Sequence, residues 1–301
     1  MTATIIDPSA VATEFRNSLR KEIAALPTPL RLLGLISGQS GPAHTYAEYT
    51  RRGCEEVGVS FELKNVARLE AEASVAAANA DPNVHGVLIY YPVFGTEQDQ
   101  YLRDSVDPGK DIEGLHSFWS RCLYENRRFI DAAQTKKAIL PCTPLAILKL
   151  LEAAQVFDPS APRPLEGRRV CIFNRSEVVG RPLASMLAND GAEVVSFDID
   201  GPLSFSPGAG RAAHTVHETN IDRQAALAQA DIVVTGVPSR SFERIAAREL
   251  RPGAVCVNFS TFANFESDVR ETARVFVPRV GPMTVTMALR NTLRLYQNGR
   301  G

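Results

Sequence analysis

The chain has 301 residues, 45% hydrophobic and 22% charged, with a formal net charge of −1. This is the composition of an ordinary globular protein of about two domains, burying roughly three quarters of its unfolded surface. The near-neutral balance provides no overall field for nucleic acid or an anionic membrane, and no apolar run approaches the ~18 residues that cross a bilayer.

The opening stretch, MTATIIDPSAVATEFRNSLRKEIAALP, has no apolar h-region or small-residue cleavage site. It reads as a strand and an amphipathic helix rather than as a targeting peptide. Strand-like and helix-like stretches then alternate. RLLGLIS (31–37) reads as a strand, 44–57 as a helix, VSFEL (59–63) as a strand and the Ala- and Glu-rich 66–80 as a helix. HGVLIYYPV (85–93) is a strong strand ending in Pro92, followed by helices near 96–105 and from Pro144 to about Ala154. The Pro-dense FDPSAPRPLEG (157–167) is a loop that opens a second run. That run comprises RVCIF (169–173), a helix over 179–190, EVVSFDID (193–200), a Gly/Pro/Ser-rich loop over 201–218 and a helix over 221–229. Strands at DIVVTGVP (231–238), AVCVNFS (254–260) and VFVP (275–278) follow, and then a helix over 283–297 with one apolar stripe. The alternation predicts an α/β protein built from parallel βαβ units.

Five widely spaced cysteines with no CxxC read as reduced, which points to an intracellular, cytoplasmic setting. His214 and His217 form an HxxH without neighbouring ligands, so a solvated loop is preferred to a metal site.

VCIFNRSEVVGRP (170–182) has the layout of a nucleotide-binding turn without its usual Gly-x-Gly-x-x-Gly. Doubly wound sheets bind ligands at the carboxyl ends of their strands. There the amides of Asn174, Arg175 and Ser176, with the helix start at Val179, would face a pyrophosphate, and Gly180 would allow close approach of helix to sheet. The following strand ends at Asp198, a carboxylate placed for the adenosine ribose hydroxyls of NAD and repulsive to the 2′-phosphate of NADP. Asp200 competes for that role. Thr235 and Gly236 end another strand beside a ligand, and Asn258 ends the next, facing the nicotinamide side.

The first block offers four clusters. Tyr46 and Thr50 share a helix face, and Tyr90, Tyr91 and Pro92 end the strong strand. KDIEG (110–114) carries Asp111 and Glu113, and LPCTP (140–144) carries Cys142. Each also has a plain structural reading: core-edge aromatics, a surface turn and a small buried thiol with no base near it in sequence.

Together these motifs carry a resemblance. YxxxT with EEVG (46–58), HGVLIYYP, KDIEGL, LPCTP, NRSEVVGRP and VGPMT (280–284) occur in the order found in the methylenetetrahydrofolate dehydrogenase/cyclohydrolase family. The chain looks closest to that family's yeast-type, monofunctional, NAD-dependent branch. The resemblance implies two α/β domains flanking a cleft, the second a Rossmann-type parallel sheet, with the C-terminal helix returning to the first. The implied domains are 1–147 with 282–301 for folate, and 148–281 for NAD. It assigns the substrate tyrosine to Tyr46, the pterin-binding acid to Glu113 and the substrate-side loop to Gly281 and Pro282, and it implies a homodimer in the one-carbon metabolism that serves purine biosynthesis.

Departures from the bifunctional pattern are equally telling. Thr50 stands where those members have a lysine, Tyr90 where they have glutamine, and Asn174 where their turn begins with glycine; a Gly-Gly before VGPMT is reduced to Arg279. A neutral hydroxyl supplies neither positive charge nor an amine base near neutral pH. The implied activity is therefore hydride transfer from 5,10-methylenetetrahydrofolate to NAD, without cyclohydrolase. Arg175 by itself would favour NADP, whose phosphate an arginine at this point serves in bifunctional relatives, unless Asp198 pairs with it. The rival readings are a shikimate-type dehydrogenase on the same two-domain plan and a catalytically silent NAD-binding sensor.

Overall fold

The computed structural model describes residues 2–38 and 40–299. Contacts divide the chain into two compact units. One takes the N-terminal residues to Val11, Leu123–Asn126 and Thr143–Met283; the other takes Ala12–Cys122, Arg127–Cys142 and the chain from Thr284 onward.

The elements follow in chain order. β1 (Thr4–Ile5), α1 (Pro8–Ala24), β2 (Arg31–Ile36), α2 (Pro42–Val57), β3 (Ser60–Asn65), α3 (Ala71–Ala80) and β4 (Gly86–Tyr90) come first. Next are α4 (Gln98–Ser105), α5 (Ser117–Tyr124), α6 (Cys142–Ala153), β5 (Arg169–Phe173), α7 (Gly180–Asn189), β6 (Glu193–Asp198), β7 (Gly201–Ser206) and β8 (Thr215–Glu218). The remainder are α8 (Arg223–Gln229), β9 (Ile232–Thr235), β10 (Val255–Asn258), α9 (Val269–Thr272), β11 (Val275–Val277) and α10 (Gly281–Asn298).

The smaller sheet is a parallel β3-β2-β4 ladder in which Leu33 faces Val87 and Leu35 faces Ile89. β4 is buried at all five positions, as a strand covered on both faces must be. On one face Leu35, Val87 and Ile89 pack with Val75, Ala78 and Leu102, each buried aliphatic side chain contributing about 1.5–3 kcal/mol. α2 ends where Gly58 takes a left-handed φ of 81° and the Val59 amide returns to the Cys54 carbonyl. α2 and α10 lie so close at Gly53 that a Cβ there would stand 2.8 Å from Val285.

The larger sheet runs β1-β11-β10-β9-β5-β6-β7-β8, parallel through β6 and closed at one edge by an antiparallel hairpin pair. Its strand order reverses at β5/β9, the topological switch point where such sheets receive ligands.

Three expectations need correction. Residues 201–218 are not one loop, because their two ends form β7 and β8. Gly201, at φ 100°, lets the chain reverse over Ile199 and Asp200 and pair Asp198 with Gly201. Phe205, 1% exposed, anchors β7 despite the Gly/Pro/Ser composition. The first strand, grouped by sequence with the first domain, instead pairs with β11 in the larger sheet. Finally, α5 was not foreseen; it is two turns long, with Trp119 buried and its indole N–H donating to the Pro108 carbonyl at 3.0 Å.

Candidate active site

In the unit of the smaller sheet, the candidate residues gather around the C-terminal end of β4. Tyr46 and Thr50 lie one turn apart on α2, and the Thr50 hydroxyl donates to the Tyr46 carbonyl at 3.0 Å. Thr50 is 1% exposed, so this position offers a buried, neutral hydroxyl. Tyr90 meets Tyr46 edge-on at 5.8 Å between ring centroids. Its hydroxyl is buried beside Thr50 without a well-formed hydrogen bond. Burial pushes the Tyr90 and Tyr91 phenols up, and raises Tyr46 well above the usual range with help from Cys142, Glu113 and Tyr90. All three tyrosines are neutral at physiological pH.

Beyond Tyr90 comes the cis Tyr91–Pro92 bond. The buried Asp99 carboxylate fixes the following loop by accepting the amides of Val93, Phe94 and Gly95 at 3.2, 2.9 and 3.0 Å. The Arg103 guanidinium lies over the Tyr91 ring at 5.4 Å, and both line a small pocket with Asp111 and Glu113.

The KDIEG turn is built from its own side chains. The Lys110 ammonium donates to the carbonyls of Ala78, Asn79 and Asp81 at 2.9, 2.7 and 2.7 Å, capping the C-terminus of α3. Asp111 bridges to Val87 beside β4. Its carboxylate accepts the amides of Glu113, Gly114 and His116 at 3.0, 3.1 and 2.8 Å. Gly114, at φ 69°, sits where a Cβ would be 2.8 Å from the Leu140 carbonyl oxygen. The turn therefore closes on LPCTP, with the Cys142 amide donating to the Glu113 carbonyl at 3.2 Å. Asp111 shapes the turn, and Glu113, half-buried, is the carboxylate presented to the pocket. Burial and the neighbouring Asp111 charge push Glu113 up to about 8, against the pull of the Ile89 backbone hydrogen bond and Arg103.

Cys142 is buried and its thiol donates to the Ile112 carbonyl at 3.2 Å. Burial, Glu113 and Asp111 hold the thiol well above its usual value, so it is a packing group without thiolate character. Asn291 of α10 secures this corner, its amide donating to the carbonyls of Ile112 and Leu140 at 2.8 and 3.0 Å. Asn291, Asp99 and Arg103 were not among the expected residues. Only Asp99 leaves a local sign, four to six residues after the amides it caps; Asn291 lies 149 positions from Cys142.

In the unit of the larger sheet, the β5/β9 switch point carries the nucleotide-side candidates. Asn174 takes φ 118°. Its side chain donates to the Gly236 carbonyl at 3.1 Å and accepts the Ser176 amide at 2.9 Å. This local ring of hydrogen bonds does for the turn what a first glycine would do. It also corrects an expectation: the amides of Asn174, Arg175 and Ser176 do not face a ligand, because they donate to the Phe197 carbonyl, Asp198 and the Asn174 side chain. Gly180 opens α7 with its Cα so near the turn that a Cβ would lie 1.8 Å from the Asn174 carbonyl oxygen. At Gly236 a Cβ would strike the Phe259 ring at 1.8 Å. Val179 is the N-cap of α7 and its side chain makes no cap bond. No internal acceptor takes the amides of Glu177, Val178 and Gly180 among the described residues, which suits this helix start to an anionic diphosphate.

Asp198, exposed at the end of β6, accepts the amides of Arg175 and Ile199. The expected Arg175–Asp198 side-chain pair is replaced: the guanidinium pairs with Asp200. Thr235 and Asn258 are turned inward. The Thr235 hydroxyl donates to Asn258, whose amide donates to the carbonyls of Ser260, Phe262 and Pro278. They brace the strand ends. Gly281 and Pro282 form the first turn of α10, with Gly281 exposed and open space where its Cβ would be.

His214 stacks on Phe205 at 5.8 Å, and its Nδ1 lies 3.1 Å from Asn189. Burial lowers its affinity for a proton. No group of His, Cys, Asp or Glu among the described residues is arranged to hold a metal ion.

Comparison with known proteins agrees with this layout. Residues 6–113 match the model for the tetrahydrofolate dehydrogenase/cyclohydrolase catalytic domain, and 141–300 match the NAD(P)-binding domain of the same family. A methylenetetrahydrofolate dehydrogenase [NAD(+)] of Schizosaccharomyces pombe is 40% identical over 97% of this chain and 92% of its own length. One from Dictyostelium discoideum is 39% identical over 97% and 94%. The solved NAD-dependent 5,10-methylenetetrahydrofolate dehydrogenase of Saccharomyces cerevisiae superposes with a TM-score of 0.91 at 35% identity, covering 99% of this chain and 98% of that one. With both family domains matched in order across nearly the whole chain, it belongs to the tetrahydrofolate dehydrogenase/cyclohydrolase family.

Proposed function

We propose that this chain oxidises 5,10-methylenetetrahydrofolate to 5,10-methenyltetrahydrofolate with NAD as hydride acceptor, in one-carbon metabolism and without cyclohydrolase activity. The NAD-dependent relatives support the reaction and the cofactor. One observation carries the monofunctional reading: the position of the bifunctional lysine holds a buried Thr50 whose proton is donated to its own helix, packed beside Tyr90. Thr50 supplies neither an amine base nor a cation to activate water at the product carbon.

When bound, NAD supplies the electrophilic nicotinamide carbon that receives the hydride. The folate nitrogen lone pair stabilises the positive carbon left behind. No proton is released, so the protein needs no general base. Its contribution is alignment and exclusion of water. Glu113 holds the donor edge of the pterin, and the Tyr46–Tyr90 pair forms an uncharged wall at the reacting region. The Ser176 hydroxyl and the amides at the start of α7 receive the pyrophosphate, Asp198 receives the ribose hydroxyls, and Gly281–Pro282 border the substrate. A cytoplasmic homodimer completes the reading, as the five free, buried cysteines and the family resemblance suggest.

The test is the absorbance change on mixing the protein with methylenetetrahydrofolate and either nicotinamide cofactor. Methenyl product is expected with NAD. Product with NADP alone would overturn the cofactor assignment, and hydrolysis of added methenyltetrahydrofolate above the uncatalysed rate would overturn the monofunctional one. NAD binding without folate-dependent reduction would identify a sensor instead.

A further inference from the structure

Arg175 stands at the carboxyl end of β5, beside the expected adenosine ribose, and a free guanidinium there would attract a 2′-phosphate. In this chain it is not free. Its side chain is only 7% exposed. Nη1 donates to the carbonyls of Ser196 and Gly201 at 2.7 and 3.0 Å, and Nη2 pairs with the Asp200 carboxylate. The backbone amide of the same arginine donates to Asp198. Arg175 thus grips the β6–β7 turn at four points, two on the backbone and one on each aspartate.

The two aspartates are used differently. Asp198 accepts only backbone amides, each carboxylate oxygen keeping lone-pair capacity for a ligand. Asp200, 71% exposed, is the carboxylate that neutralises the nearly buried guanidinium. We propose that Asp200 is a specificity-determining positioning residue: by holding Arg175 against the β6–β7 turn, it withholds that cation from the 2′-phosphate of NADP and fixes Asp198 for the ribose of NAD. The inference deepens the NAD assignment and rests on it. Selection against NADP then has two parts, repulsion by Asp198 and sequestration of Arg175 by Asp200. Loss of the second converts an occupied arginine into a phosphate ligand.

The experiment measures dissociation constants for NAD, NADP and adenosine 2′,5′-bisphosphate by calorimetry on the full chain, without folate. In Asp200→Asn, NADP and the bisphosphate are expected to bind about tenfold or more tightly than in the parent, the scale of one charge-assisted hydrogen bond. NAD is expected to weaken modestly. Asp200→Ser should repeat this, and Asp200→Glu, which keeps the carboxylate, should retain the parent's preference. Adding Arg175→Ala to Asp200→Asn should erase the gain for the phosphorylated ligands. Equal weakening of NAD and NADP in Asp200→Asn, or a gain that survives Arg175→Ala, would overturn the inference. Failure of the parent to bind NAD would instead overturn the cofactor assignment on which it stands.

Discussion

Glu113 is a carboxyl group held away from water beside a second carboxylate, and its proton affinity reports both. Free in the pocket it titrates near 8, whereas in the unfolded chain a glutamate titrates near 4.3. Between those values the folded chain holds a proton that the unfolded chain has released, so stability falls as pH rises. Glu113→Gln removes this linkage. Its urea midpoint should exceed the parent's by a margin that grows from pH 5 to 8 and is constant above that; a margin independent of pH would contradict the assignment. Pterin donors need the ionised form, so kcat/KM for folate in the parent should climb with pH and level off above about 8. Glu113→Gln should lower that plateau by about ten- to a hundredfold, the worth of hydrogen bonds to a charge. At this scale the gathering of residues was legible: Tyr46, Thr50, Tyr90 and the KDIEG acids, singled out by their motifs, lie together at the end of β4. The direction of a side chain was not. Asp111 and Glu113 are equivalent in sequence, and only the three amides that Asp111 accepts distinguish the builder of the turn from the group it presents.

Elements succeed or fail here by how closely backbones approach. Gly180→Ala would press a methyl group into the Asn174 carbonyl, so NAD affinity measured by calorimetry should fall at least about tenfold; unaltered affinity would show that α7 can shift away from β5. Lys110→Met removes three hydrogen bonds from an ammonium to carbonyls in the last turn of α3 and at Asp81 just beyond it. A loss of about 1.5–3 kcal/mol is expected in denaturant unfolding, with a parallel fall in kcat/KM for folate as the turn carrying Glu113 loosens. The central parallel strands were read well because β2, β4, β5, β9 and β10 are short, nearly continuous apolar runs between turn residues. The β7–β8 pair was not, because GPLSFS has loop composition and gains its strand identity from pairing with β6. The ordering of α5 likewise depends on the tertiary burial of Trp119, which no local pattern announces.

Across the whole molecule, the division of labour does not follow chain order. β1 extends the larger sheet, whereas α1 from Ala12 onward is counted with the smaller one; α10 begins in the first of these units and continues in the second. Deleting residues 2–6 should therefore unprotect β11, which would become an uncovered edge, while β2 and β4 keep their protection. Amide hydrogen exchange resolved by peptide would show this, and equal loss in both sheets would contradict it. The existence of two α/β blocks was legible from the two runs of alternation, but the Pro-rich stretch 157–167 does not divide them, because the larger-sheet unit already begins at Thr143. The exchange of the chain's ends was not, because two residues of strand carry too little pattern to reveal which sheet they join.

That exchange has a consequence for synthesis. Domains that follow chain order fold one after another as they emerge from the ribosome. Here β1 waits for β11, the last strand of its sheet to appear. The smaller-sheet unit, most of it translated early, still lacks Asn291 and the face of α10 that meets Gly53. The larger-sheet unit closes only when β11 is made and the smaller-sheet unit only when α10 follows, so the nascent chain carries two unfinished cores at once. Chaperone dependence should peak while β11 and α10 are being made.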